Sequence, residues 1–398
     1  MAAAGYLLER WRPPWFGYLL VALFGLAILL PLFGTLWDRD RDIVTLENRI
    51  AESWPEFKFT RDGLKRYPGE FERFFNDHFG LRGILVRVNH LARAMVFGVS
   101  PVPNTLIGKA GWLYFRGEDA KALDRWYRGT EAFTDVEIAV LRSELLRRHT
   151  YLSSRGIAYL VVVVPEKYSI YPEYLPDWVT KLSPTTPLDR IARELSRYPE
   201  LNFIDLRGAL REARSGERLY YQTDSHWNYL GATVGYRAIM AEVARLLPGL
   251  VVAPASRPPF VAGVDYYSGD QAQMLGLPQL FREDDIAPLG KVLAQAASRC
   301  AQRDTTEETP GFEFYVYRCD PRPAHRALIY RDSMAIPLVP LLAENFARSI
   351  FVSTHALDPA LIERVKPDIV VEEFVERTLN APAAYPLRVD APARIASP

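Results

Sequence analysis

Residues 327–334 read ALIYRDSM, an apolar run that ends in a charged pair and a serine. A short apolar run before a polar turn is typical of a buried strand, and this one predicts a strand over residues 326–330. Comparable runs predict further strands, at residues 157–164, 201–206, 349–352 and 368–371. Ser333 therefore follows directly after a predicted strand.

Helical patterns lie around and between these strands, at residues 135–153, 227–247, 337–346 and 359–365. The alternation predicts an α/β fold with a mostly parallel sheet that is flanked by helices on both faces. Functional groups in such sheets collect at the carboxyl ends of the strands. Ser333 thus lies where a functional site is expected.

Ser333 has the surroundings of a nucleophile. A helix is predicted to begin within a few residues, so backbone N–H groups, including that of Ser333, would face a developing oxyanion. This arrangement suits acyl transfer. The alternative is that Asp332 and Ser333 only cap the helix.

The second candidate segment is YQTDSHWN at residues 221–228, before the helix predicted over 227–247. In a capping turn, Asp224 would accept a hydrogen bond from Nδ1 of His226 and leave Nε2 facing outward as a base. The alternative is that Asp224 or Thr223 caps the helix and His226 is a surface ring. No Cys or further His lies at ligand spacing nearby, so we predict no metal site.

The overall composition excludes several classes of protein. The 48 Lys and Arg residues balance the 48 Asp and Glu residues, which argues against a nucleic-acid partner. No glycine-rich loop of the kind that cradles phosphates is present, so no coenzyme A site and no cofactor are predicted.

The N-terminal region contains one candidate membrane anchor. No charged side chain occurs between Trp15 and Trp37, and a helix of that length reaches about 34 Å, which exceeds the hydrocarbon core of a bilayer. We predict a segment over 1–14, an anchor over 15–37, a catalytic domain over 44–380 and a Pro/Ala-rich tail over 381–398. A cleaved signal peptide is the alternative for the anchor, and the flanking basic residues leave its orientation open.

The two cysteines, Cys300 and Cys319, flank a polar segment that ends in an alternating stretch at residues 312–317. This pattern indicates a loop or hairpin that a disulfide would close, which favours an oxidising compartment. Two unrelated buried thiols are the alternative.

Much of the chain from residue 73 to residue 378 resembles the alginate O-acetyltransferase family of AlgJ and AlgX, whose catalytic domains are SGNH-hydrolase-like. The likeness rests on short motifs that occur in the same order, including FNDHFGLR (75–82), GKAGWLY (108–114), VPEK (164–167), DSHWN (224–228), SGD (268–270), DS (332–333) and KPDIVVEE (366–373). Each motif is weak alone, and their order makes the likeness specific.

The resemblance implies a Ser-His-Asp O-acetyltransferase with Ser333, His226 and Asp224 as the triad. It implies a polysaccharide acceptor, a membrane partner that exports acetyl groups, and a location at the inner membrane with the catalytic domain in the periplasm. Arg331 and Met334 depart from the family, which usually has a small residue and often an aromatic there, and this bears on the acceptor pocket.

Two further functions fit the same residues. The triad would also serve a polysaccharide deacetylase or esterase, because hydrolysis and transfer share the acyl-enzyme. A non-catalytic glycan-binding subunit of an export complex would keep the fold without the chemistry. Aromatic residues near the motifs, Trp112, Tyr114, Trp227, Tyr266 and Tyr267, are candidates for stacking on sugar rings or for the core.

Overall fold

The structure is a computed structural model, and it describes residues 14–37, 52–130, 133–255, 266–284, 300–303, 314–319, 324–384 and 386–387. Its contacts divide the chain into two compact units. The first contains residues 1–101 and 273–277, and the second contains residues 102–272 and 278–398. The predicted single domain over 44–380 stays a prediction.

The described part of the first unit is helical: α1 (Pro14–Trp37), α2 (Arg61–Asp77) and α3 (Arg82–Val96). Thr60 caps α2 by accepting a hydrogen bond from the Gly63 N–H, 3.1 Å away. No helix in the described part of the chain is long and apolar enough to cross a membrane. The anchor over residues 15–37 therefore remains a prediction.

The second unit is built on a seven-stranded mixed sheet with the strand order β4-β3-β11-β9-β10-β8-β7. The strands from β4 to β10 in this order are parallel to one another. Strand β8 is antiparallel to both of its neighbours, β10 and β7. The sheet strands are β3 (Ala158–Val164), β4 (Phe203–Asp205), β7 (Cys300–Arg303), β8 (Phe314–Cys319), β9 (Arg326–Tyr330), β10 (Arg348–Val352) and β11 (Ile369–Val375). The two remaining pairs are β1 (Thr105–Ile107) with β2 (Leu113–Phe115), and β5 (Tyr266–Tyr267) with β6 (Glu283–Asp284).

The predicted strands are all present: β9 has the predicted bounds, and the ends of the others differ by at most four residues. Burial explains why they were recognisable. The side chains of β3 and β11 are buried on both faces, so these strands read as continuous apolar runs with few polar interruptions.

Helices α4 (Asp135–Ser153) and α8 (Tyr229–Leu246) pack on β3, α6 (Pro187–Leu195) packs on β4, and α10 (Val339–Ala343) packs on β10 and β8. The remaining helices are α5 (Lys167–Ile170), α7 (Arg207–Ala213), α9 (Asp270–Met274), α11 (Pro359–Val365) and α12 (Ala381–Ala384). Helix α4 has the predicted bounds because Thr134 and Glu137 form a capping box at its start. Residues 388–398 of the predicted tail lie outside the described residues.

The helix predicted over 337–346 is wrong in its bounds and in its first turns. The chain forms a 3₁₀ helix over Ser333–Leu338 and then the short helix α10. Pro337 and Pro340 each lack a backbone N–H, so a regular α-helix cannot run through this segment.

The predicted hairpin lies at the antiparallel end of the sheet. Strands β7 and β8 pair with Cys300 directly opposite Cys319, and a disulfide joins the two residues. The alternative of two unrelated thiols is therefore wrong.

Candidate active site

Ser333 lies at the carboxyl end of β9, inside the parallel part of the sheet. It begins the 3₁₀ helix, which Asp332 caps by accepting a hydrogen bond from the Met334 N–H at 2.8 Å. The other carboxylate oxygen of Asp332 accepts from the Val375 N–H at 2.7 Å, and the Asp332 N–H donates to Glu373 at 3.1 Å. Asp332 thus fixes the turn at residues 331–334 to the end of β11. We call this segment the nucleophile turn, after the role predicted for Ser333.

Asp224 and His226 lie in a tight loop before α8. Tyr220 and Trp227 form an antiparallel bridge, and the Asn228 N–H donates to the Leu219 carbonyl at 2.9 Å. The side chain of Asn228 caps α8 by accepting from the Gly231 N–H. The alternative in which Asp224 or Thr223 caps this helix is therefore wrong. We call residues 220–227 the bridged loop.

The structure brings the three predicted side chains into one hydrogen-bonded row. His226 Nε2 lies 2.9 Å from Ser333 Oγ, and His226 Nδ1 lies 2.6 Å from Asp224 Oδ1. Asp224 Oδ1 also accepts from the His226 N–H at 2.9 Å. About a quarter of the His226 side chain, 27%, is exposed. These distances suit proton transfer from the hydroxyl to the imidazole.

The charges of this pair stabilise one another. Burial alone would raise the pKa of Asp224, but its hydrogen bond and Coulomb attraction to His226, with a hydrogen bond from Tyr267, lower that pKa below its ordinary value. Burial alone would lower the pKa of His226, but the hydrogen bond and charge of Asp224, followed by the charge of Asp270, raise it. Asp224 is therefore ready to stabilise an imidazolium.

Two residues hold the far side of Asp224, and both come from the segment at 267–270. The Tyr267 hydroxyl and the Asp270 N–H donate to Asp224 Oδ2, the latter at 3.0 Å. Gly269 allows this approach, because a Cβ added there would lie 2.4 Å from the Asp224 Cβ. The site has no room for a side chain at position 269.

Asp270 is a second carboxylate beside the imidazole. Its Oδ1 and Oδ2 accept from the Ser225 N–H at 2.7 Å and the Ser225 hydroxyl at 2.5 Å, and Oδ2 lies 3.7 Å from His226 Nδ1. Asp224, His226 and Asp270 offer ligand atoms within 4.8 Å of one another, a spacing that a cation accepts. Both carboxylates already accept protein hydrogen bonds, and the prediction of no metal stays a prediction.

The Ser333 N–H remains the candidate oxyanion donor. Among the described residues it has no hydrogen-bond partner, whereas the next amide, that of Met334, already donates to Asp332. Arg377 supplies positive charge near this edge, since its guanidinium opposes protonation of His226. Arg377 pairs with Glu166 and lies over the Phe115 ring at 4.9 Å.

Most of the candidate sugar-stacking residues belong to the core. Trp112, Tyr114 and Trp227 are at most 2% exposed, so they cannot stack on a glycan in this conformation. The Trp227 indole donates to the Met334 carbonyl at 2.7 Å and thereby joins the bridged loop to the nucleophile turn. Tyr267 is partly exposed, and the side chain of Tyr266 lies outside the described residues.

The two departures from the resembling family are also interior positions. The side chains of Arg331 and Met334 are 2% and 1% exposed, and the Arg331 guanidinium lies over the Tyr315 ring at 5.1 Å. Neither lines an open acceptor pocket in the described structure. Of the other histidines, His355 comes nearest to the nucleophile turn, with Nε2 4.0 Å from Asp332 Oδ2.

Sequence reasoning did not connect several residues of the site with Asp224. Tyr267 and Asp270 lie 43 and 46 positions from Asp224, so no local spacing connects them. The only signal for Asp270 was the short motif SGD at 268–270 within the family resemblance, and Tyr267 was a candidate only for sugar stacking or for the core. Lys167 was likewise quoted only as part of the motif VPEK.

A mixed α/β sheet flanked by helices, with the serine at the end of a central strand, defines the SGNH-hydrolase-like class. Residues 105–308 match the family model described as the SGNH hydrolase-like domain of the acetyltransferase AlgX. The chain belongs to this family.

Curated relatives carry the name probable alginate O-acetylase AlgJ. The chain is 29% identical over 203 residues to the Pseudomonas aeruginosa protein, which is 50% of this chain and 47% of that relative. It is 25% identical over 334 residues to the Azotobacter vinelandii protein, which is 80% of this chain and 79% of that relative. The chain thus spans about half the length of the Pseudomonas aeruginosa relative that it matches.

Solved structures with a similar fold include an O-acetyltransferase domain of Pseudomonas putida AlgJ, at 19% identity and a TM-score of 0.45. The match covers 70% of this chain and 92% of that one. Bacillus cereus PatB1 matches at 15% identity and a TM-score of 0.48, over 69% of this chain and 97% of that one.

Proposed function

We propose that the protein is an O-acetyltransferase that moves acetyl groups to hydroxyls of an exported polysaccharide through Ser333, His226 and Asp224. The single observation that supports this most is the continuous row of hydrogen bonds from Ser333 to His226 and on to Asp224. Membership of an acetyltransferase family supplies the group that is transferred.

The first half-reaction acetylates the enzyme. His226 Nε2 takes the proton of Ser333 while Oγ attacks the carbonyl carbon of an acetyl donor. The tetrahedral intermediate collapses, the bond from the acetyl carbon to the donor breaks, and His226 returns the proton to the leaving donor. Ser333 then carries the acetyl ester.

The second half-reaction releases the product. A sugar hydroxyl gives its proton to His226 and attacks the acetyl carbon, and the bond to Ser333 Oγ breaks as the serine recovers the proton. The Ser333 N–H would stabilise the oxyanion in both halves, a contribution of roughly 3 kcal/mol per donor in measured enzymes.

The same acyl-enzyme would yield free acetate if water attacked it. A bound glycan hydroxyl overcomes water by effective concentration, so transfer requires positioning of the acceptor and no further chemistry. Hydrolysis is therefore the reaction against which transfer has to be measured.

We also propose that the protein works on the outer side of the inner membrane, beside a membrane protein that exports acetyl groups. The disulfide between Cys300 and Cys319 supports an oxidising compartment. The apolar segment at residues 15–37 is the proposed anchor. Membrane fractionation and protease accessibility of the full chain would test both the anchor and its orientation.

Replacement of the nucleophile tests the central claim. Cells that carry Ser333→Ala are expected to lose acetylation of the exported polysaccharide, because no other hydroxyl contacts His226 Nε2 in the described structure. Acetyl content of the secreted polymer is the measurement, and Ser153→Ala, an exposed serine of α4, is the control. Full acetylation by Ser333→Ala at normal protein levels would reject the proposal.

A second experiment separates transfer from hydrolysis. The purified full-length protein is incubated with an activated acetyl ester, with and without acetyl-free oligosaccharides. We expect acetylated oligosaccharide at the expense of free acetate. Release of all acetyl groups as acetate under both conditions would identify an esterase instead.

A further inference from the structure

We propose that Lys167 is a positioning residue of the triad, whose ammonium fixes the backbone of the bridged loop so that Asp224 and His226 meet Ser333. The inference rests on the proposed function and assigns a role that family membership does not. Lys167 follows strand β3 and begins helix α5, so it rises from the same edge of the sheet as Ser333.

The hydrogen bonds of the Lys167 ammonium all go to the backbone of one short segment. Its Nζ donates to the carbonyl of Tyr221 at 3.0 Å, of Gln222 at 3.0 Å and of Asp224 at 2.6 Å. An ammonium has three N–H donors, and these acceptors use all of them. No donor is left for a substrate, so the Lys167 ammonium cannot also donate a hydrogen bond to one.

Aromatic rings close the remaining sides of this ammonium. Nζ lies 5.6 Å from the Trp112 ring and 5.2 Å from the Tyr114 ring, within the range of cation–π attraction. The Lys167 side chain is 2% exposed. Three motifs that are far apart in sequence, at 108–114, 164–167 and 224–228, therefore meet at one cation.

Without that cation the carbonyls of Tyr221, Gln222 and Asp224 would each lose a charged donor at a buried position. Buried carbonyls without donors are costly, so the loop would open to find partners. The Gln222 carbonyl also accepts from the Leu113 N–H at 2.8 Å and keeps that donor when the cation is lost. Because Asp224 supplies both a carbonyl to Lys167 and a carboxylate to His226, movement of this loop lengthens the Asp224–His226 contact.

The charges around Lys167 and His226 give the inference a specific readout. Burial lowers the pKa of Lys167 to about 8, against the opposing charges of Asp224, Asp270, Glu283 and Glu166. His226 faces Asp224, Asp270 and Arg377. Loss of a nearby positive charge by itself would raise the pKa of His226, whereas loss of the Asp224 contact lowers it. Electrostatic and positioning roles therefore shift the pKa of His226 in opposite directions.

The experiment compares Lys167→Met with the wild type and with Lys181→Met. The control lysine is exposed and also lies over an aromatic ring, that of Tyr127 at 5.1 Å. Purified full-length protein is treated with an aryl phosphonate, and the rate of Ser333 labelling is followed by mass spectrometry from pH 5 to pH 9. Thermal unfolding of each variant checks the fold.

We expect Ser333 of Lys167→Met to be labelled about 100-fold more slowly, because a misplacement of about 1 Å can cost that much. The acidic limb of its pH–rate profile, in which labelling falls as the pH drops, should move to lower pH. Lys181→Met should match the wild type. Should Lys167→Met not fold, Lys167→Arg is measured in the same way, because its planar head keeps the charge but cannot direct three donors at these carbonyls.

Two results would overturn the inference: a folded Lys167 variant that labels within about twofold of the wild-type rate, or an acidic limb that moves to higher pH. Failure of the proposed function gives a different result. In that case the wild type itself is not labelled at Ser333, whatever residue stands at position 167.

Discussion

The nucleophile turn and the bridged loop supply the two halves of the same site, and they are held in different ways. Ser333 follows a central strand, and its turn is joined to both neighbouring strands. The Arg331 N–H donates to the Val352 carbonyl of β10 at 3.0 Å, and the Val375 N–H of β11 donates to the Asp332 carboxylate at 2.7 Å. The bridged loop belongs to no strand of the large sheet. Side chains hold it: Lys167 from one side, Asp270 and Tyr267 from another, and Glu283, which accepts from the Gln222 and Thr223 N–H groups at 2.8 and 2.7 Å.

This difference indicates where the site is vulnerable. A strand end is positioned by the whole sheet, so a single side chain changes it little. A loop that side chains hold loses its position when one of them is altered. We therefore expect substitutions around the bridged loop to lower activity with the fold intact.

The largest effect is expected for Gly269→Ala. The added Cβ would lie 2.4 Å from the Asp224 Cβ and 2.5 Å from its Cα, so Asp224 must move. We expect about a 100-fold loss of Ser333 labelling and about 1–3 kcal/mol of destabilisation from overpacking.

The matched control for this substitution is Gly208→Ala on helix α7, where an added Cβ meets nothing within 4 Å. Labelling rates and urea unfolding of both variants are the measurements. Wild-type labelling by Gly269→Ala would show that the bridged loop is more compliant than this comparison requires.

Tyr267→Phe should have a smaller effect on the same loop. The hydroxyl donates to Asp224 Oδ2, and hydrogen bonds to charged groups contribute about 1.5–3 kcal/mol. We expect labelling to fall by about tenfold, because Asp224 is then less firmly held in the position that orients His226.

Tyr220→Phe provides the comparison within the bridged loop. Its hydroxyl donates to the Pro165 carbonyl at 2.5 Å and makes no contact with Asp224. Steady-state hydrolysis of an activated acetyl ester would measure both variants. Equal losses of kcat in the two would mean that the Tyr267 hydroxyl acts only on stability.

The same contrast explains how much of the molecule could be predicted from its sequence. The strands that carry Ser333 and Lys167 are buried on both faces, and their continuous apolar runs identified them. His226 and Asp224 were found because they are two residues apart, and their pairing needs only a local turn. The contacts of Tyr267, Asp270 and Lys167 with Asp224 could not be predicted, because these residues are far from Asp224 in sequence and meet it only in the tertiary fold.

Local chemistry misled the prediction where two signals competed. The apolar residues after Ser333 suggested an α-helix over 337–346, but Pro337 and Pro340 limit the chain to a 3₁₀ helix and one short α-helix. For the aromatic residues near the motifs, the sequence left sugar stacking and the core open, and the fold places Trp112 and Tyr114 in the core beside the Lys167 ammonium.

The smallest expected effect is a change in the pH dependence of labelling, in which the substitution makes labelling faster and not slower. His226 must be neutral to accept the Ser333 proton, and Asp224 with Asp270 raises its pKa above the ordinary value, so labelling falls as the pH drops through that raised pKa. Asp270→Asn removes the more distant charge, 3.7 Å from Nδ1, and keeps an acceptor for the Ser225 N–H. The acidic limb should move to lower pH, so this variant labels slightly faster than the wild type near pH 6, whereas replacement of the exposed Asp284 of β6 by Asn should make no difference.

The stability of Asp270→Asn should change in the corresponding direction. A histidine whose folded pKa is raised adds stability below its unfolded pKa, and that contribution disappears as the pH rises through the folded value. Removing the Asp270 charge reduces this contribution, so the thermal unfolding temperatures of variant and wild type should differ more at pH 5.5 than at pH 8.5. A limb that stays in place in Asp270→Asn would mean that Asp224 alone sets the pKa of His226, and the bridged loop would then depend on Asp270 only for its shape.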